Sequence, residues 1–381
     1  MEKIKVMTVF GTRPEAVKMA PLVLELESRE EIDSIVCVTA QHREMLDQIL
    51  ELFGIKPRYD LNIMKKNQTL SDITGRVLSG LDEVLNEAKP DIVLVHGDTS
   101  TTFAGALAAF YHQIPVGHVE AGLRTYDIYS PFPEEMNRRM VGQISALNFS
   151  PTKQNASNLA KENVLGETFI TGNTVIDALK TTVLGDYKFR DETLAKLDFA
   201  NRRVIIVTAH RRENYGEPFE NILSALKKIA ETHPDVDLVY PVHLSTYVTE
   251  NANRVLGGIP NVHLIKPLDL DEMHNLMSRC YMVMTDSGGI QEEAPALGKP
   301  VLVMRKETER PEAVAAGTVK LCGVEYDDIL KMAGELLGNT AAYAKMANAV
   351  NPYGDGEASR RITDAILWHF GRGEKPETFG A

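Results

Sequence analysis

The segment Ile92-Val93-Leu94-Val95 is apolar at four successive positions. Side chains of a strand alternate between its two faces, so a strand without a polar position is covered on both sides. Such strands lie inside parallel sheets sandwiched by helices, and this requirement narrows the fold more than any other feature of the chain. Related runs recur at residues 4–10, 34–40 and 115–119, each followed by a stretch with helical spacing. Thr69 and Asp72 form a capping-box pair that opens a helix expected to reach residue 88. Residues 184–202 lose the apolar period, are rich in charge and read as a linker. A second alternating series starts at residue 203, with strands expected at 236–240, 262–265, 279–284 and 301–304. Gly354-Asp355-Gly356 interrupts the chain before a last helix to about residue 370. Strands regularly separated by helices give parallel α/β domains. Two series give two Rossmann-like, doubly wound parallel-sheet domains, the first over residues 1–183 and the second over 203–356. Ligands bind such sheets beyond the carboxyl ends of the strands, so the expected site is an inter-domain cleft.

Composition removes several function classes. A chain of 381 residues has room for two full cores. Its formal net charge of −12 argues against a general nucleic-acid binder, which needs a basic face. An anionic small ligand remains compatible with it, because a few cations and helix N-termini make a local positive pocket. Cys37, Cys280 and Cys322 are the three cysteines, spaced too widely for a zinc site or a disulfide framework, and they read as buried thiols. No apolar run approaches the ~20 residues of a membrane span. Met1 leads straight into a strand, so a soluble, cytoplasmic protein without a signal peptide is expected.

Three regions carry chemistry. Thr285-Asp286-Ser287-Gly288-Gly289-Ile290-Gln291-Glu292-Glu293-Ala294-Pro295 lies between two expected strands, with room only for a turn and a brief helix from near Gly288. Backbone N–H groups of Ser287, Gly288 and Gly289 are expected to be bare there, and glycine lets an anion approach closely. A carboxylate repels phosphate, so one of Glu292 and Glu293 is expected to accept from uncharged donors such as ribose hydroxyls. Arg305 and Arg310 add cations at the same sheet edge. Arg13, in the turn after the first strand, and Lys18, about a helical turn later, form a second corner that favours anions. The fingerprint G-x-G-x-x-G is missing, so no NAD or FAD cofactor is expected.

Asp98, Glu120 and Glu134 fall just past strand ends or at a loop-to-helix corner. Any one of them could be a cap, Asp98 before Thr99 in particular. Gathered on one edge they cannot all ionise cheaply, and at least one pKa rises toward that of a proton-transfer group. His210 stands beside Arg211 and Arg212 with no second histidine at ligand spacing. A phosphate donor or neutral imidazole is expected there, and a metal is not.

Seven runs make the reading specific. They are Val9-Phe10-Gly11-Thr12-Arg13-Pro14-Glu15-Ala16, Val95-His96-Gly97-Asp98, Gly117-His118-Val119-Glu120-Ala121-Gly122-Leu123-Arg124, Pro131-Phe132-Pro133-Glu134-Glu135-Met136-Asn137-Arg138, Thr208-Ala209-His210-Arg211-Arg212-Glu213-Asn214, Thr285-Asp286-Ser287-Gly288-Gly289-Ile290-Gln291-Glu292-Glu293 and Glu309-Arg310-Pro311-Glu312. In this order, and over almost the whole chain, they resemble the non-hydrolysing UDP-N-acetylglucosamine 2-epimerases. The resemblance implies the two-domain GT-B architecture, with the C-terminal helix (residues 357–381) joining the first domain, and a homodimer without cofactor or metal. It implies reversible conversion of UDP-N-acetylglucosamine (UDP-GlcNAc) to UDP-N-acetylmannosamine (UDP-ManNAc), a precursor for cell-surface polysaccharide. UDP leaves C1 as C2 loses its proton, giving 2-acetamidoglucal, and protonation from the other face with return of UDP completes the exchange.

By the same resemblance Asp98, Glu120 and Glu134 carry proton transfer and support the C1 cation, with His210 completing the catalytic set. Arg13, Lys18, His210 and the amides of Ser287, Gly288 and Gly289 hold the diphosphate. Glu293 accepts from the ribose, and Arg310 steadies sugar or phosphate. Which acid takes the proton and which returns it stays open. Many members place a phenylalanine near the uracil where this chain has Met273, so weaker base stacking is expected. Many bacterial members also bind a second UDP-GlcNAc as activator, through Gln41, His42, Glu134, Arg211 and His243. Two positions that usually join these differ here, being Glu44 and Asn67. A glycosyltransferase, a hydrolysing relative and a non-catalytic nucleotide-sugar sensor are the rival functions.

Overall fold

The structure is a computed structural model and describes residues 2–41, 43–65 and 67–380. His42, one of the positions singled out above, lies outside the described residues. The chain forms two compact units, Met1–Thr181 with Tyr353–Ala381, and Thr182–Pro352.

The first unit alternates β1 (Ile4–Phe10), α1 (Arg13–Glu27), β2 (Ile32–Val38), α2 (Arg43–Phe53), β3 (Tyr59–Asp60), α3 (Leu70–Ala88), β4 (Ile92–His96), α4 (Ser100–Tyr111), β5 (Val116–Val119), α5 (Glu134–Ile144), β6 (Leu147–Ser150), α6 (Lys153–Lys161), β7 (Glu167–Ile170) and α7 (Thr174–Thr182), whose last residue, Thr182, begins the second unit. The second contains α8 (Glu192–Lys196), β8 (Arg203–Thr208), α9 (Glu217–Thr232), β9 (Val236–Pro241), α10 (Thr246–Leu256), β10 (Val262–Ile265), α11 (Leu270–Arg279), β11 (Met282–Thr285), α12 (Ile290–Ala296), β12 (Val301–Val303), α13 (Pro311–Ala316), β13 (Val319–Leu321), α14 (Tyr326–Gly338) and α15 (Thr340–Ala347). The closing helix α16 (Ala358–His369) belongs to the first unit, packs on α1 and is tied to it by Arg29 and Asp364 at 3.1 Å.

Both sheets are wholly parallel, in the orders β3-β2-β1-β4-β5-β6-β7 and β10-β9-β8-β11-β12-β13. Each order reverses once, between β1 and β4 in one unit and between β8 and β11 in the other. At such a point successive loops leave in opposite directions and open a crevice at the carboxyl edge. β4 is buried at all five positions, as its unbroken apolar run requires. Below it Met7, Val9, Leu81, Leu85 and Val95 form one core, while Ile205, Leu238, Met282 and Met284 lie in the other.

Local chemistry accounts for most element ends. Thr69 and Asp72 close the expected capping box, and α3 runs to Ala88. Thr12 and Glu15 do the same for α1. The cap of α4 is Thr99, whose hydroxyl accepts from the Thr102 amide at 3.1 Å, and not Asp98; this leaves the Asp98 side chain available to other groups. β2 stops at Val38 because Ala40 turns to a φ of +52°. Arg279, expected in a strand, ends α11, and the Cys280 amide still bonds to Leu276 in helical fashion at 2.9 Å. Residues 184–202, read as a linker, hold α8 and dock on α11, Arg190 reaching Asp271 at 2.7 Å and the Tyr187 hydroxyl donating to the same carboxylate at 2.5 Å. All three cysteines are buried and unpaired. Among the described residues no helix is long and apolar enough to cross a membrane.

Gly122, in the turn after β5, has a φ of +96°, and a Cβ there would stand 2.3 Å from the backbone oxygen of Asn155. Gly122→Ala is expected to cost roughly 2 kcal/mol or more, since both strain and overlap act and neither neighbour is a free side-chain end. A thermal midpoint equal to wild type would show that the turn relaxes.

Candidate active site

The carboxyl edge of the first sheet is built around a buried acid that was not among the expected site residues. Glu15 lies inside the first turn of α1. Its Oε2 accepts from the amides of Gly11 (3.1 Å) and Thr12 (2.8 Å) and from the Thr12 hydroxyl (2.7 Å). Its Oε1 accepts from the hydroxyls of Thr99 (2.8 Å) and Thr102 (3.1 Å). One carboxylate thereby joins the loop after β1 to the loop after β4. Burial raises its pKa, and these donors pull the other way. Gly11 completes the close approach, since a Cβ there would come within 1.9 Å of the Thr39 hydroxyl.

On this frame the three expected acids converge. Glu120 follows β5 with a φ of +63°, a region that a side chain of this size rarely adopts. Its carboxylate pairs with the Lys18 ammonium, accepts from Asn173 Nδ2 at 3.0 Å and faces His96 Nε2 at 3.5 Å, with only 11 % of the side chain exposed. Burial lowers the His96 pKa to about 4 against the pull of Glu120, so at neutral pH the ring meets Glu120 uncharged. His118 is lowered to about 4 for the same reason while bonded through Nε2 to the Gly97 oxygen at 2.7 Å.

Asp98 follows β4, beside Arg138 at 3.6 Å, with 30 % of its side chain exposed. Desolvation raises its pKa to about 6; Arg138 opposes the rise, and the charges of Glu120 and Glu134 add to it. Asn137 Nδ2 donates to the Asp98 carbonyl at 2.9 Å. Arg138 is oriented by buried Glu135 at 2.9 Å, which also accepts from the amides of Thr125 (3.0 Å) and Tyr126 (3.1 Å). Glu134 opens α5 and is half-buried. Arg13 sits at the start of α1, and among the described residues no hydrogen bond or ion pair engages its guanidinium. Gln41 is turned to Thr101, whose hydroxyl donates to it at 3.2 Å, and not to the acids.

The second sheet repeats the device. Asp286, fully buried after β11, accepts from the amides of His210 (2.7 Å) and Arg211 (2.8 Å) and so joins the loops after β8 and β11. His210 Nδ1 stands 3.4 Å from the same carboxylate, and its ring stacks on that of His243, centroids 5.2 Å apart. Burial lowers the His210 pKa; Asp286 opposes this, and His243 and Arg211 reinforce it.

The Ser287 amide is already bonded to Thr285 Oγ1 at 2.9 Å, which corrects the expectation of three bare amides. Those of Gly288 and Gly289 donate to no described residue, and Arg211 lies beside them, 3.7 Å from where a Gly288 Cβ would be. Arg211 and Arg305 share the Glu309 carboxylate, at 3.5 and 3.6 Å. Of the two candidate glutamates, Glu292 is buried and pairs with Arg310, whereas Glu293 keeps a partly exposed carboxylate. Met273 is half-buried on α11. Among the described residues no cluster of three or more His, Cys, Asp or Glu has metal-binding geometry.

Glu15, His96, Asp286 and Glu135 escaped the sequence reading. All four stood inside the motifs, but their types did not reveal that they are buried and turned toward the loops that present the other groups.

A model of the UDP-N-acetylglucosamine 2-epimerase family matches residues 24–367. The UDP-N-acetylglucosamine 2-epimerase of Bacillus subtilis is 58% identical over 382 aligned positions, covering 100% of this chain and 99% of its own. That match takes in Arg13 and Lys18, which precede the family model's span. A crystal structure of a UDP-N-acetylglucosamine 2-epimerase superposes with a TM-score of 0.93 at 56% identity, covering both chains completely. The Neisseria meningitidis UDP-GlcNAc 2-epimerase bound to UDP-GlcNAc gives a TM-score of 0.85 at 52% identity, over 96% of this chain and 100% of its own.

The raised pKa of Asp98 has a stability consequence. Between about pH 4 and 6 the native carboxyl keeps a proton that the unfolded chain has lost, so stability falls as pH rises through that window. Asp98→Asn removes the effect. Its thermal midpoint relative to wild type is expected to climb from pH 4 to pH 7, and a difference independent of pH would mean that Asp98 is not desolvated.

Proposed function

The chain belongs to the UDP-N-acetylglucosamine 2-epimerase family, and on that premise we propose that it interconverts UDP-GlcNAc and UDP-ManNAc at C2 by elimination and re-addition of UDP. The observation that carries the reading is the gathering of Asp98, Glu120 and Glu134 at one sheet edge, with Lys18 paired to Glu120 and Arg138 beside Asp98. Epimerisation at C2 needs a proton removed from one face and returned to the other. The hydrogen beside an acetamide is too weakly acidic for simple deprotonation. Breaking the C1–O bond supplies the driving force: UDP leaves with the bonding pair, a carboxylate takes the C2 proton, and the C1–C2 double bond of 2-acetamidoglucal forms. Delivery of a proton to the opposite face and attack of UDP oxygen on C1 give the epimer, and the atoms balance without oxidation.

Two acids in different surroundings suit two proton-transfer roles. Asp98, with its pKa near 6, holds or releases a proton close to neutrality. General acid–base groups supply about 10²–10⁴-fold each, so stabilisation of the leaving diphosphate must contribute as well. In this reading Arg13, Lys18, His210, the Gly288 and Gly289 amides and Arg310 bind the diphosphate or sugar, while Glu293 accepts from the ribose. The reading includes a homodimer and a second UDP-GlcNAc as activator, engaging Gln41, Arg211 and His243. The product would serve cell-surface polysaccharide.

Incubation of UDP-GlcNAc alone in D₂O separates the rivals. An epimerase places deuterium at C2 and yields UDP-ManNAc, a hydrolysing relative releases free ManNAc, and a glycosyltransferase or sensor leaves C2 protiated. Asp98→Asn, Glu120→Gln and Glu134→Gln are each expected to lower kcat by about 100-fold or more, with UDP affinity changed by less than about threefold. Equal loss of turnover and UDP binding would make these acids structural.

A further inference from the structure

Glu293, the hydroxyl acceptor of the reading above, is bracketed by Gly289 and by His274, a residue with no role in that reading. Its Oε2 lies 3.3 Å from Nε2 of His274, a side chain of α11 with 0 % exposure. His274 Nε2 has no aligned hydrogen-bond partner, and an unsatisfied buried donor is costly. The Glu293 carboxylate is the acceptor within reach. At the other side of the ring, Nδ1 is 2.6 Å from the Thr182 hydroxyl. A lone pair on Nε2 would face the carboxylate and repel it, so Nε2 carries its hydrogen and Thr182 donates to Nδ1. Thr182 is itself anchored, its carbonyl accepting from Asn275 at 2.7 Å. The second oxygen, Oε1, lies over Gly289, where an added Cβ would come within 3.2 Å of it. Glycine at 289 leaves room for Oε1, and histidine at 274 holds Oε2.

We propose that His274 is a positioning residue for nucleotide recognition: by engaging Oε2 of Glu293 through Nε2–H, it aims Oε1 at the ribose hydroxyls of the bound nucleotide. The inference rests on the reading of Glu293 as ribose acceptor. A glutamate free to rotate must be ordered at each binding event, whereas one held at Oε2 is ordered beforehand. His274 therefore sets the preference for nucleotides with an intact ribose diol, and it acts on affinity rather than on the chemical step.

The test is calorimetric titration of the full chain with UDP and with its 2′,3′-dideoxy analogue. Wild type is expected to prefer UDP by about tenfold or more, the scale of a hydrogen bond to a charged acceptor. His274→Asn retains an amide near Thr182 but falls short of Glu293. It is expected to weaken UDP about tenfold while moving the dideoxy analogue less than about twofold, and to raise KM with kcat unchanged. His274→Gln, whose amide reaches further, should restore part of the preference. Equal weakening of both nucleotides, or a preserved preference, overturns the proposal. Should His274→Asn fail to fold, Thr182→Val removes the donor to Nδ1 and is expected to reduce the preference; an unchanged ratio there also overturns it. Glu293→Gln separates the two layers. If it keeps the preference, or wild type has none, the ribose assignment falls; if it abolishes the preference and His274→Asn does not, only the role of His274 falls.

Discussion

One buried carboxylate at each topological reversal holds the two edges in shape. Glu15 receives two amides and three hydroxyls from the loops after β1 and β4. Asp286 receives the His210 and Arg211 amides and thereby ties the loops after β8 and β11. Removing an acid from water is expensive, and it is tolerated only where donors converge on it. The converse is the structural point: loops whose N–H groups must satisfy a buried acid have little freedom to wander. Arg13 and Asp98 stand on loops of the first kind, and Arg211 and Ser287 on loops of the second. The functional groups inherit their positions from an interaction that is itself no part of the proposed chemistry.

Around that frame, similar side chains are given dissimilar surroundings. Glu120 has a lysine, an asparagine and a buried histidine about it, on a backbone turned into the left-handed region. Asp98 faces an arginine at longer range, and desolvation dominates its behaviour. Glu292 is spent on Arg310, while its neighbour Glu293 keeps an oxygen over Gly289. In each case residues of one type diverge because the fold supplies different partners, and a division of labour among acids depends on such divergence.

Much was legible before any coordinates. The apolar run of β4 required a covered parallel sheet, and the alternation of strand and helix required two such sheets. The capping box at Thr69 and Asp72 marked the start of α3 correctly because its hydrogen bonds are local. The failures also have physical reasons. Arg279 ends a helix rather than opening a strand, because the Cys280 amide still finds the Leu276 carbonyl four residues back. The Ser287 amide is taken by a hydroxyl two residues earlier in the chain. Two-residue β3 and three-residue β13 are too short to show a period.

The sequence by itself determined the order of elements, the parallel sheets and the residue types placed at strand ends, because those follow from periodicity and from contacts within a few positions along the chain. Only the tertiary structure decided that Lys18 meets Glu120 across 102 residues, that Thr182 meets His274 across 92, and that Glu15 lies under the loop of Asp98. Desolvation and long-range pairing are properties of the packed interior. A carboxylate carries no mark in the sequence that tells whether it will end in water, against a cation, or beneath a second loop.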